Sequence, residues 1–153
     1  VHILTATTHE HWALARRLVE EYAASLGVDL SFQDFQHEIA SLRVEYGPPG
    51  GTFLLAEKDD SFVGCGAFRR LSEHTCEMKR LYVASAGRGV GIGRALAIRL
   101  IADARARGYL AMRLDTLPTM TAARQMYAAL GFREIPAYRY NPVEGTTFME
   151  LAL

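Results

Sequence analysis

At 153 residues the chain has room for one domain with a buried core. Half its residues are apolar and 22% are charged, the balance of an ordinary globular protein. Seventeen basic residues offset seventeen acidic ones, which excludes the positive excess of a dedicated nucleic-acid binder; no apolar run approaches the roughly 20 residues of a membrane span, and Val1–Ala6 lacks the pattern of a secretory leader. The expectation is a single domain over residues 1–153, cytoplasmic, with neither nucleic acid nor membrane as partner.

His2–Ala6 reads as a short strand. Thr7 and Thr8 can cap a helix over residues 9–25, where Trp12, Ala15, Leu18, Val19 and Tyr22 recur at helical spacing, and Gly27 ends it. A second helix is predicted over Phe32–Val44, with Phe35, Ile39 and Leu42 on one face. Pro48-Pro49-Gly50-Gly51 is the strongest turn signal in the chain. Thr52–Glu57, Ser61–Arg70 and Thr75–Val83 follow as strands, and the short polar connections between them favour antiparallel hairpins. A turn near Ser72-Glu73 would set Cys76 opposite about Phe68, with Cys65 three residues along. That separation is too large for a disulfide, so both are read as free, buried thiols. Neither they nor the five histidines follow a metal-site spacing, and no metal is expected.

Ile92–Arg107 is a clear helix that turns Leu96, Leu100, Ile101 and Ala104 inward and stops at Gly108. Tyr109–Thr116 is predicted as a strand and Thr119–Leu130 as a helix. Phe132–Ile135 and Thr146–Ala152 are the last strands, joined by a loop rich in Tyr, Arg, Asn and Pro. The order β-α-α-β-β-β-α-β-α-β-β describes an α/β chain with a mixed sheet and helices on both sides. Residues 75–116 form a strand-helix-strand crossover that joins parallel strands.

Between strand and helix lies Gly87-Arg88-Gly89-Val90-Gly91-Ile92-Gly93. A helix start presents unpaired N–H groups and partial positive charge, and glycines let the backbone approach a ligand closely. The segment therefore suits an anionic phosphate. It is not a Walker loop, because Gly93 is followed by Arg94 and Ala95, and its glycine spacing misses the dinucleotide fingerprint. A tight turn without ligand is the bland alternative.

Arg88-Gly89-Val90-Gly91-Ile92-Gly93 resembles the Arg/Gln-x-x-Gly-x-Gly/Ala motif of the GNAT superfamily of N-acetyltransferases. Glu77–Val83 is similar to the strand that feeds that motif, and Ala123–Phe132 to the family's Ala-x-x-x-Tyr-x-x-x-Gly-Phe helix end. Met120 departs from the pattern, standing seven residues before Tyr127 where many members carry Asn, and Leu117-Pro118 makes a stiff lead into the helix. The resemblance implies a mixed, mostly antiparallel sheet with a central splayed parallel strand pair flanked by helices. It implies acetyl-CoA as cosubstrate, its pantetheine on the backbone of Leu81, Tyr82 and Val83, its pyrophosphate on the loop Arg88, Gly89, Val90, Gly91, Ile92, Gly93 and Arg94. The implied activity is acetyl transfer to a primary amine, of a small molecule, by direct attack in a ternary complex. Alternatives are acetylation of a protein amine, a module that senses acyl-CoA without catalysis, and a nucleotide-binding protein using the same loop.

An alkyl amine with a pKa near 10.4 is only about one part in 2,500 neutral at pH 7, an effect of roughly 4.6 kcal/mol, whereas a thiolate leaves with far less help. A general base should therefore matter more than a general acid. By position in the motif Glu77 is the expected base, with His74 and Glu144 as weaker candidates, and Tyr127 is the expected acid toward sulfur; a backbone N–H near Leu81–Val83 would serve the oxyanion. The acceptor pocket falls by resemblance near Leu26–Phe35 and Ala137–Thr147. There Tyr138 and Arg139 are the substrate candidates, since a guanidinium can bind a substrate carboxylate bidentately. Edge-strand pairing would give a homodimer.

Overall fold

The computed structural model describes residues 1–27, 29–30 and 34–153. Strand β1 (His2–Thr5) leads into helix α1 (His9–Leu26). Thr8 caps α1: its hydroxyl accepts from the His11 N–H at 3.1 Å, and His11 Nδ1 accepts from the Thr8 N–H in return. Gly27, at φ 67°, stops it in the left-handed region. The single helix expected over 32–44 is two, α2 (Phe35–Ala40) and α3 (Leu42–Tyr46). Ser41 separates them by leaving helical geometry (φ −149°), while its hydroxyl bonds the His37 carbonyl, a local side-chain bond competing with the helix. The start of that expected helix, from Phe32 to Gln33, lies outside the described residues.

Strands β2 (Thr52–Lys58), β3 (Ser61–Arg70) and β4 (Thr75–Val83) form two successive hairpins. Asp59 and Asp60 both take positive φ in the first turn, the geometry that matches the twist of a two-residue hairpin. The second hairpin corrects the expected register: Cys76 lies opposite Arg70, and Cys65 opposite Tyr82. Two things move it, the wider Leu71–His74 connection and a bulge in which Arg80 and Leu81 together face Gly66. Both cysteines are free and buried.

A short 3-10 turn (Ser85–Gly87) leads to helix α4 (Ile92–Ala106). Strand β5 (Ala111–Thr116), helix α5 (Thr121–Ala129), β6 (Arg133–Ile135) and β7 (Thr147–Ala152) complete the chain. The seven strands lie in the order β1-β2-β3-β4-β5-β7-β6, antiparallel everywhere except β4–β5. Each face has its own core. Leu96, Leu100 and Ile101 of α4 and Tyr127 of α5 pack on Leu54, Phe68, Met78 and Met112 on one side. Ala15, Leu18 and Val19 of α1, with Ile39, Leu42 and Tyr46, pack on Phe53, Leu55, Cys65 and Ala67 on the other. The unbroken burial of β2 and β3 through their middles follows from this sandwiching.

Candidate active site

The parallel ladder between β4 and β5 is three residues long: Thr75, Cys76 and Glu77 face Ala111, Met112 and Arg113, and there it stops. Beyond it the strands diverge. The cause is on β4, where Arg80 adopts φ 60°, a left-handed conformation that costs an ordinary residue about 1–2 kcal/mol. A buried bidentate pair offsets that strain: Arg80 Nε and Nη2 donate to Glu38 of α2 at 2.7 and 2.8 Å. Burial pushes the Glu38 carboxyl up, yet the hydrogen bonds and charge of Arg80 prevail and hold it below its ordinary value.

The divergence opens a cleft through the sheet. Met78, Lys79 and Leu81 line it from β4, Asp115 and Thr116 from β5, Met120 and Tyr127 from α5, and Tyr22 from α1. The Thr116 hydroxyl is buried with no hydrogen-bond partner among the described residues, so one polar group in the wall awaits a ligand. Along β4 from Met78 to Val83 the backbone edge toward β5 has no ladder partner. Arg88 Nε takes one of the carbonyls there, that of Val83, at 3.1 Å. Tyr82 contributes backbone only, since its hydroxyl donates to Glu21 of α1 at 3.1 Å.

At the far end of β4 the glycine loop turns into α4. Gly89 and Gly91 sit at φ 85° and 81°, and a Cβ at either would meet nothing within 4 Å. Their hydrogen side chains therefore serve conformation and an open approach. Gly91 is the N-cap of a 15-residue helix and provides no side-chain cap, so the first N–H groups of α4 are left for a ligand. Val90 is exposed, whereas Ile92 packs into the core beneath. An open, uncapped helix start and an unpaired strand edge fit the pyrophosphate and pantetheine of acetyl-CoA.

The chain matches the Acetyltransferase (GNAT) family over residues 11–132. It belongs to that family. An uncharacterized N-acetyltransferase of Schizosaccharomyces pombe is 36% identical over 140 residues, covering 90% of this chain and 86% of that protein. The N-acetylaspartate synthetase of Rattus norvegicus is 38% identical over 101 residues, 65% of this chain but only 34% of the synthetase. Among solved structures, an acetyltransferase from Streptococcus agalactiae superposes with a TM-score of 0.78 at 23% identity, covering 99% of this chain and 98% of its own. The Salmonella typhimurium protein yncA, solved with its cofactor acetyl-CoA, superposes at 0.71 with 21% identity over 99% and 92% of the two chains. The mixed sheet with one splayed parallel pair is thus the GNAT fold expected from the sequence.

Within this GNAT site, Tyr127 is buried at the cleft wall and packs against Phe132, the ring centroids 5.6 Å apart and the planes tilted by 60°. Burial raises its pKa above the usual phenol value. Glu77, Tyr138 and Arg139, three candidates from distant parts of the sequence, come together. Glu77 is fully buried, and its carboxylate takes the Tyr138 hydroxyl at 2.6 Å, Arg69 Nε at 3.3 Å and the guanidinium of Arg139. Arg69 in turn donates to Glu45 at 3.0 Å. The Tyr138 ring lies between the guanidiniums of Arg113 and Arg139, at 5.4 and 5.2 Å. Glu77 is thus enclosed by its partners, and it is not among the residues that line the cleft. His74 and Glu144 are exposed and also lie away from the lining.

Arg69, Lys79 and Asp115 are not among the site residues expected from the sequence. Asn141 donates to Asp115 at 3.3 Å and accepts from its own loop at the Val143 N–H, tying the 136–146 loop to the cleft. The available signal was the pair of adjacent cations, Lys79-Arg80, inside an otherwise alternating strand. Among the described residues no group of three or more His, Cys, Asp or Glu could hold a metal ion, and no helix is long and apolar enough to cross a membrane.

Proposed function

We propose that this protein transfers an acetyl group from acetyl-CoA to the primary amine of a small molecule, by direct attack within one ternary complex. The observation that carries the reading is the cleft through the sheet, with the glycine loop at one end, Tyr127 on one wall and a charged face on the other. When bound, acetyl-CoA supplies the activated acyl carbon. The amides from Arg88 to Arg94 hold its phosphates, and the free backbone edge of Leu81, Tyr82 and Val83 pairs with its pantetheine. A backbone N–H of that edge stabilises the charge that develops on the acyl oxygen. Tyr127 keeps its proton at neutral pH because burial disfavours the phenolate, and it delivers that proton to the departing sulfur.

A small acceptor is favoured because the 136–146 loop is fastened over the charged face by Tyr138, Arg139 and Asn141. The related rat enzyme is named for N-acetylaspartate, the amide of an amine that also carries carboxylates. In this reading Glu77 is a positioning residue: it fixes the acceptor loop through Tyr138 and Arg139. The Glu77→Gln variant should raise KM for the amine more than it lowers kcat.

Thermal-shift measurement should show stabilisation by acetyl-CoA and not by ATP with Mg²⁺. Release of free CoA across a panel of amino acids, polyamines and peptide N-termini then identifies the acceptor class. Stabilisation without transfer to any amine would replace the enzyme by an acyl-CoA sensor, and transfer to peptides alone would replace the small molecule.

A further inference from the structure

The charged face of β4 leaves one demand unmet. Amine attack needs a proton acceptor beside the thioester, and the carboxylate of Glu77 is already closed by two guanidiniums and a phenol. Lys79, two residues on, lines the cleft itself and is only 6% exposed. The composition points to the same residue. Of the seventeen Lys and Arg residues, Lys58 and Lys79 are the only lysines, and the other fifteen cations are arginines. Arginine stays protonated in proteins, whereas a buried lysine can lose its proton. Of the two cations that line the cleft among the described residues, Lys79 and Arg80, the lysine is the one able to lose its proton and act as a base.

We propose that Lys79 is the general base that takes the proton from the acceptor amine; the assignment rests on the acetyltransferase reading above. Neutral Lys79 Nζ accepts a proton from the incoming ammonium and later releases it to solvent. The amine nitrogen bonds to the acyl carbon, the carbon–sulfur bond breaks, and sulfur leaves with the proton of Tyr127. The second proton on nitrogen restores Tyr127, so the products are the amide and free CoA.

The surroundings support this. Burial, then the charges of Arg80 and Arg69, push the Lys79 ammonium down to about 7, while Glu38 and Asp115 oppose them. Of the other groups on the elements around it, Glu45 is committed to Arg69, Glu77 to Arg69, Tyr138 and Arg139, and Arg113 to Glu150. Tyr22, raised to about 12 by burial, stays neutral. A group with a pKa near 7 is about half unprotonated at neutral pH and becomes protonated as pH falls, so turnover should fall below about pH 7.

Protein carrying ¹³C at the lysine ε-carbon would give two resonances, with Lys58→Arg assigning them without disturbing the cleft. The Lys79 signal should titrate near pH 7 and the Lys58 signal near the ordinary value of about 10.4. With the amine found by CoA release, Lys79→Met and Lys79→Arg should each lower kcat/KM about 100-fold at pH 8 and lose the limb near pH 7, while Glu77→Gln keeps that limb. Acetyl-CoA thermal shifts verify that each variant is folded. A Lys79 signal titrating above about pH 9, or an unmoved limb in Lys79→Met, would overturn the assignment of Lys79 alone. Absence of transfer by the unaltered protein would overturn the acetyltransferase reading, and this assignment with it.

Discussion

The two faces of β4 are built on opposite principles. Toward α4, the side chains of Cys76, Met78, Leu81 and Val83 are apolar and fill the core or its margin. Toward α1 and α2, Glu77, Lys79 and Arg80 are charged and buried, and Glu77 and Arg80 are held by partners from three other segments, α2, β3 and the 136–146 loop. The apolar face needs only volume, and in the proposed function the cosubstrate contacts beside it come from backbone and glycines. The charged face needs each partner in place, because a buried ion without its counterion is costly. The proposed function thus assigns cosubstrate binding to the main chain and acceptor chemistry to side chains.

Removing one half of a buried pair should break this comparison most severely. Glu38→Ala should destabilise the fold by about 3–5 kcal/mol in denaturant titration, since it strands Arg80 and leaves the strain at its left-handed backbone uncompensated. The sign of the pH effect follows from the same pair. The Glu38 pKa is held below its ordinary value in the folded protein, so its stabilisation is complete above the unfolded value of about 4.3 and is lost as pH falls through the lower folded value. Acid titration of the unaltered protein should show a loss of stability below about pH 4 that Glu38→Ala lacks.

A change at the apolar wall should act on chemistry instead. Tyr127→Phe keeps the ring packed on Phe132 and should leave stability and acetyl-CoA binding nearly unchanged while reducing turnover about 100-fold. Loss of folding in that variant would make the tyrosine a core residue only. Smallest of the three, Gly91→Ala places a Cβ at φ 81° and should cost ~1–2 kcal/mol, seen as a several-fold rise in the acetyl-CoA dissociation constant by calorimetry.

Legibility in the sequence divided along the same line. The short polar hairpin connections, the α4 repeat of Leu96, Leu100 and Ile101, and the glycines around Arg88 all act through local geometry, so they read directly and in order. The break at Ser41 did not, because serine is a weak helix breaker and the bend depends on packing of Ile39 and Leu42. The enclosure of Glu77 was equally unreadable. Its partners come from residues 69, 138 and 139, and only the closed sheet brings them within hydrogen-bond reach. Tyr127 and Glu77 were singled out through motif position, but position did not reveal that one lines the cleft and the other does not.

The bulge at Arg80 and Leu81 also acts as a parity switch. Before it, even-numbered residues (Cys76, Met78) point to α4; after it, odd-numbered ones (Leu81, Val83) do, and Tyr82 turns to the other side. A strand counts in twos, so a single inserted residue inverts every address downstream. Deleting Arg80 would close the bulge and return β4 to plain alternation, with Leu81 and Val83 still toward α4 and Tyr82 still opposite. What the extra residue adds is a second consecutive side chain on the charged side, the guanidinium that reaches Glu38.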